Sequence, residues 1–159
     1  MKVFIPIFLV LAVLISGCAH VVSRDIRDKA AAELTFAEIL RNPDAYRERT
    51  VILGGVIVSS INKEEGTYIE VVQKPLDYWG RPLDTDISHG RFIILYEGYL
   101  DTAIYSRGRE VTVAGEVAGK MARQLGEIQY PYPLIKSREI HLFEYRIPIR
   151  IGIGIWKTF

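Results

Sequence analysis

Asp84, Asp86, His89 and Arg91 lie within eight residues of one another, with Asp77 and Asp101 further off. A carboxylate pair beside an imidazole has the groups for acid–base work. An Asp-x-Asp spacing offers hard oxygen ligands to a cation. The same residue types also make solvated turns, because Asp and Ser bond their local backbone. The solvated-turn reading is the one taken, so no catalytic and no metal-ligating residue is assigned and no cofactor is expected. Other chemistries lack their residues. No G-x-S-x-G elbow is present, and Gly115 to Gly119 is not followed by the Gly-Lys-Ser/Thr of a phosphate loop. The histidines at 20, 89 and 141 form no H-E-x-x-H pair, and one cysteine allows neither a disulfide framework nor a cysteine-based zinc cluster. Tyr78-Trp79-Gly80-Arg81 and Tyr130-Pro131-Tyr132-Pro133 concentrate aromatics in proline-bearing segments. Tyr, Trp and Arg are the types that anchor interfaces, and aromatics stack on sugars and bases. Tyr78, Trp79, Arg81, Tyr130 and Tyr132 are therefore the candidate binding surface; packing over the barrel ends is the alternative.

The single thiol, Cys18, follows an apolar run. Lys2 is the lone charge ahead of Val3–Ile15, thirteen residues without a charge or a strong polar group. A spanning helix needs about 20 such residues, so residues 1–17 read as a secretory signal peptide to be removed. Ile15-Ser16-Gly17-Cys18 resembles the lipobox of bacterial lipoproteins: an aliphatic residue, two small ones, then cysteine. Small side chains let the extended backbone enter a membrane protease. The thiol sulfur can carry a diacylglycerol thioether, and the new α-amine a third acyl chain. One chain holds a protein marginally and several hold it firmly, so the partner expected is the outer membrane, through lipid on Cys18. Ala19 stands where aspartate would retain such a protein in the inner membrane; by analogy the protein sorts to the outer membrane, facing the periplasm.

Length and charge frame what must position these residues. The chain has 159 residues, 49% of them hydrophobic, with 20 Lys+Arg against 19 Asp+Glu. Loss of Lys2 leaves 19 charges of each sign. A neutral chain at a periplasmic address is not a nucleic-acid binder. Residues 18–34 read as the lipidated N-terminus and a tether, reaching at most about 50–60 Å when extended. Thr35-Phe36-Ala37-Glu38 has the capping-box form and starts a helix over roughly 35–41, which Asn42-Pro43 ends. Strands follow at 50–61, 67–73, 91–97 and 109–117. Gly54-Gly55 marks a bulge, a bend or a close backbone approach. Residues 75–90 make a polar loop, and 98–108 a connection with a helical turn near 101–105. Val111, Val113 and Val117 alternate with Glu110, Thr112 and Glu116. Residues 126–132 and 135–145 are further strands, broken by Pro131 and Pro133. The fold expected is mainly β: a small OB-like barrel, closed or partly open, over 35–145, with a short N-terminal helix. Residues 146–159 alternate Ile147, Ile149, Ile151, Ile153 and Ile155 with Pro148, Arg150 and glycines, and read as an extra C-terminal strand.

The ordered set of short motifs resembles the Slp family of outer-membrane lipoproteins, whose name records induction in starved cells. The set runs from the lipobox through Asn42-Pro43 to Tyr46, Gly54-Gly55-Val56-Ile57, Asn62, Thr67-Tyr68-Ile69-Glu70-Val71 and Pro75-Leu76-Asp77. It continues with Gly80-Arg81-Pro82, Gly90-Arg91-Phe92, Gly98-Tyr99-Leu100-Asp101, Tyr105, Gly108 to Gly115, and Gly126-Glu127 to Tyr130-Pro131-Tyr132-Pro133. Leu53 stands where the family often has tryptophan, and the stretch after Tyr145 is peculiar to this chain. The resemblance implies a periplasmic barrel without established catalytic activity. The expected function is envelope integrity or stress tolerance through contacts with membrane, envelope glycan or protein. The alternative is a periplasmic hydrolase or metal-dependent enzyme using Asp84, Asp86 and His89.

Overall fold

The computed structural model describes residues 20–145. The signal peptide, Cys18 and the extra C-terminal strand expected over 146–159 lie outside the described residues. Five strands carry the fold: β1 (Thr50–Lys63), β2 (Gly66–Lys74), β3 (Arg91–Tyr96), β4 (Glu110–Leu125) and β5 (Ile128–Leu142). They close in the order β1-β2-β3-β5-β4, and β4 returns to β1. All pairings are antiparallel except β3 with β5, where Ile93 faces Leu134 and Ile94 faces Ile135. This is the OB-like barrel the sequence implied, in its closed form. Closure leaves no unpaired edge around the wall.

Period-two alternation fills the inside. Val51, Leu53 and Ile57 of β1, Ile69 and Val71 of β2, Phe92 and Ile94 of β3, Val111, Val113 and Val117 of β4, and Ile135 of β5 form one buried cluster. Gly55 lets the wall curve: a Cβ there would overlap the Val72 carbonyl oxygen. The register shift of this hairpin falls later, between Ile57 and Ser59. The glycine pair therefore serves close approach, and the bulge is separate.

Both barrel ends are plugged. Two short helices precede the strands, α1 (Arg24–Arg27) and α2 (Phe36–Arg41). The Thr35 hydroxyl accepts from the Glu38 N–H, and the Glu38 carboxylate accepts from the Thr35 N–H at 2.8 Å. This capping box satisfies N–H groups that a helix start leaves open. It presents Phe36 and Ile39 to the core, Phe36 tilted against Phe92 with ring centroids 5.9 Å apart. A 3-10 turn, Pro43–Tyr46, follows. At the other end Leu100 and Tyr105 pack on the core, and the Ile104 and Tyr105 N–H groups donate to the Asp101 carbonyl, giving the expected helical turn.

Two stretches differ from expectation. Residues 20–34, read as part of a tether, lie along the outer wall. Val22 and Ile26 are buried against Ala114, with Ile52 beside them, and the Ala31 N–H donates to the Thr50 carbonyl at 2.9 Å. The apolar outward residues of β1 and β4 explain this, since they need a cover. The expected break at Pro131 and Pro133 is also absent: β5 runs through both, and β4 continues to Leu125. Pro131 pairs across from Ala122 and Pro133 from Lys120, whereas pairing to β3 begins only at Leu134. Each proline thus occupies a stretch with a ladder on one side, where a missing N–H costs nothing. The outer half of the β4–β5 hairpin is an arm, closed by Gly126-Glu127.

Candidate functional site

The outer face of β2 and β3, with the β4–β5 loop, is where OB barrels bind oligonucleotides and oligosaccharides. In this chain the arm folds back onto that face. Tyr68 and Ile93 of the wall enclose Tyr132 of the arm, with Leu95, Met121, Tyr130 and Leu134 around them. Tyr132 is 1% exposed. Its hydroxyl bonds the Glu70 carboxylate at 3.1 Å, and Arg91 Nη1 lies 2.6 Å from the same oxygen. Burial first, then the Glu70 charge, pushes the Tyr132 phenol above its ordinary range. The hydrogen bond to Glu70 raises the Arg91 guanidinium further. Tyr132 is therefore buried between the arm and the wall, which corrects its placement on a binding surface. The reason is the fold-back: a tyrosine next to prolines faces inward once the arm carries it over Glu70.

Tyr130 is half-buried. It packs edge-on to Tyr132 at 4.7 Å, and its hydroxyl accepts the Arg91 N–H at 3.2 Å. The cationic Arg123 lies over the Tyr68 ring, 5.4 Å from its centroid, on the same face. The arm thus occupies the face with aromatic, acidic and basic groups of the chain's own.

Tyr78, Trp79 and Arg81 belong to a different wall. The tip of the 75–90 loop is fixed by Asp77, whose carboxylate accepts the Trp79 N–H at 2.9 Å and the Arg81 N–H at 2.8 Å. The buried Thr112 hydroxyl donates to the Gly80 carbonyl at 2.7 Å, and the Val21 N–H donates to the Trp79 carbonyl at 3.1 Å. So the loop tip is clamped between β4 and the N-terminal segment. Tyr78 remains 81% exposed and Trp79 44%, stacked edge-on at 4.9 Å. Arg81 is mostly engaged, with Nε 2.7 Å from Glu110 and its guanidinium over Phe143.

The acidic loop does not assemble. Asp84, Asp86 and His89 are all exposed. Among the described residues no group of three or more His, Cys, Asp or Glu could hold a metal ion. Asp101 turns to its own backbone and accepts the Ala103 N–H. The hydrolase or metal-enzyme alternative is not favoured by this arrangement.

A surface pocket of about 260 Å³, lined by Arg47, Glu48, Glu116, Val117, Ala118 and Lys136, was not visible in the sequence. Glu48 there has φ 64°, a left-handed conformation uncommon for a residue with a Cβ, held by its N–H donating to the Val117 carbonyl at 2.9 Å. The cations are engaged: Arg47 with Asp44 at 2.6 Å and Lys136 with Glu97 at 2.8 Å. The signal for this pocket is a backbone conformation, which residue types do not spell.

A plugged barrel, a ligand face occupied by the chain's own arm and a clamped loop with exposed aromatics define a small OB-like β-barrel module, without an assembled reaction centre among the described residues. The chain belongs to the outer membrane lipoprotein Slp family, whose pattern matches residues 15–151. It is 22% identical over 153 residues to the Outer membrane protein Slp of Escherichia coli K12, covering 94% of this chain and 80% of that protein. It is 26% identical over 125 residues to the uncharacterized lipoprotein YeaY of the same organism, covering 79% of this chain and 64% of YeaY's length. An uncharacterized Haemophilus influenzae protein is 29% identical over 96 residues, covering 60% of this chain and 52% of that protein.

Proposed function

We propose that this protein is a non-catalytic outer-membrane lipoprotein, cut before Cys18, acylated there and facing the periplasm, which supports envelope integrity or stress tolerance through surface contacts. One observation carries the reading. The family match begins at Ile15, so it takes in the whole Ile15-Ser16-Gly17-Cys18 box together with the barrel. The chemistry fits: the only thiol of the chain stands where a processed amino terminus would carry lipid, and several acyl chains give stable anchoring. The fold fits as well, because the described residues offer a clamped aromatic loop for contact and no assembled acid–base centre.

Intact-mass analysis of protein purified from membranes tests the anchor. A mass for residues 18–159 plus diacylglycerol and a further acyl chain is expected, and Cys18→Ser should abolish both cleavage and outer-membrane fractionation. A Cys18→Ser protein that is processed and sorted normally would sink the reading. Protease added to intact cells should leave the barrel untouched and digest it once the outer membrane is opened. Cells lacking the protein should show increased sensitivity to detergent with chelator, restored by the wild-type chain and not by Cys18→Ser.

A further inference from the structure

The described chain begins at His20, two residues from Cys18. The His20 ring lies against Gly80: a Cβ on Gly80 would sit 2.9 Å from the imidazole Cε1. The next residue, Val21, donates its N–H to the Trp79 carbonyl. Two residues of chain reach about 7 Å at most. Whatever path residues 18 and 19 take, the anchor atom therefore stays close to the Tyr78–Trp79 loop. Lipid on Cys18 puts that cysteine at the headgroup level, in an interfacial layer about 5–7 Å thick on each side of the hydrocarbon.

We propose that Tyr78 and Trp79 form a membrane-seating surface that inserts into the headgroup layer and fixes which side of the barrel faces the bilayer. The proposal rests on the acylation argued above and names the partner of the contact surface. Three observations select a lipid surface over a glycan or a protein. First, Val21, three residues from the cysteine that would carry the lipid, donates its N–H to the Trp79 carbonyl of this loop. Second, the residue types fit: Tyr and Trp have an apolar body and a polar edge, and concentrate at membrane–water interfaces. Leu83 and Ile87 of the same loop add apolar side chains, 45% and 59% exposed. Third, the tip is preorganised by Asp77, Thr112 and Val21, so little ordering cost accompanies insertion. The exposed Ile61 and Tyr99 stand at the far end of β1, where Ile61 pairs with Tyr68 and the Tyr99 hydroxyl reaches the Glu64 carbonyl.

The test uses membrane-purified protein with one tryptophan at a time. The sequence has two, Trp79 and Trp156, so Trp156→Phe leaves Trp79 as sole reporter. Tyr99→Trp in a Trp79→Phe/Trp156→Phe chain reports from the far end. Both are reconstituted in phosphatidylethanolamine–phosphatidylglycerol vesicles, with or without lipid bearing a doxyl quencher near the headgroup. At least about twofold quenching is expected for Trp79, whose ring belongs to the interfacial class, and none for the far-end reporter. An unquenched Trp79, or equal quenching of both, overturns the proposal. So does binding of the protein to purified peptidoglycan that shields Trp79 while vesicles do not, which would make the loop a glycan surface. Mass analysis of the same sample keeps the two readings apart. If Cys18 carries a free thiol, acylation fails on its own. Coupling that single thiol to a maleimide phospholipid then supplies the anchor, and the same quenching pattern decides the seating surface.

Discussion

Two aromatic pairs on opposite walls of the barrel share their residue types and differ in what surrounds them. Tyr130 and Tyr132 lie under the β4–β5 arm on the β2–β3 wall, where Tyr132 is 1% exposed and bonded to Glu70. Tyr78 and Trp79 lie on the β1–β4 wall beside the N-terminal segment, with their backbone clamped and their rings in solvent. In the first pair the side chains hold the structure together. In the second the backbone does so and the rings are left free. Aromatic composition alone therefore does not mark a contact surface; the marker is a rigid backbone under an exposed ring.

The sharpest way to break this contrast is truncation. Tyr132→Ala removes a fully enclosed ring and leaves Glu70 with one partner fewer. A loss of about 3–5 kcal/mol is expected, as for other buried aromatics cut to alanine. Tyr78→Ala/Trp79→Ala should change stability by no more than about 0.5 kcal/mol, because exposed substitutions rarely do more. Urea unfolding of the two variants decides it. Equal midpoints would show that the arm is not a packed layer.

Smaller effects sharpen the polar side of the arm. Arg91 and Glu70 keep 32% and 16% of their side-chain surface, so the pair is only partly screened. Arg91→Met should cost about 1–3 kcal/mol, because the Glu70 carboxylate loses its cation and keeps the neutral hydroxyls of Tyr132 and Ser59. Tyr132→Phe keeps the packing and removes one hydroxyl bond, for about 0.5–1.5 kcal/mol. A double-mutant cycle between the two should return a non-zero coupling, since both act on one carboxylate oxygen. Additive losses would separate them.

The contrast also explains which parts of the molecule were legible in sequence. The capping box at Thr35 and Glu38 is local chemistry, and the helix starts where it says. Val111, Val113 and Val117 carry their inward face in their spacing. The OB-like arrangement followed from the number of strands and the position of the long connection, while the choice between a closed and a partly open barrel is made by the β4–β1 pairing. The arm did not follow. Proline reads as a strand breaker unless one knows that its N–H side has no ladder, and Pro131 and Pro133 gain that freedom only from where β3 stops. Tyr132 inherits the same blindness, since its burial depends on the arm's return over Glu70. The mixed charges of residues 24–29 read as solvated tether, although Val22 and Ile26 between and before them supply the apolar contact that docks the segment. For the proposed contact surface, Tyr78, Trp79 and Arg81 were visible as types; the clamp by Asp77, Thr112 and Val21 was not, because it joins three distant parts of the chain.

The smallest effect concerns the clamp beneath the exposed pair. Burial first, and the Arg27 charge next, hold the His20 imidazole below its ordinary range, with Asp77 opposing more weakly. The neutral ring accepts the Val22 N–H at Nδ1, 3.1 Å away. A histidine whose folded value is lowered disfavours the proton in the docked state. Docking is therefore full above the free-histidine value of about 6.5, and weakens as pH falls below it through the lowered value. In amide spectra recorded against pH, Val21 and Val22 should stay constant above the free-histidine value and drift as pH falls below it. The core amides of Val113 and Ile135 should not move. His20→Gln keeps an acceptor and removes the titration, so its Val21 signal should be flat throughout. A Val21 signal that drifts equally in wild type and His20→Gln would assign the change to another group.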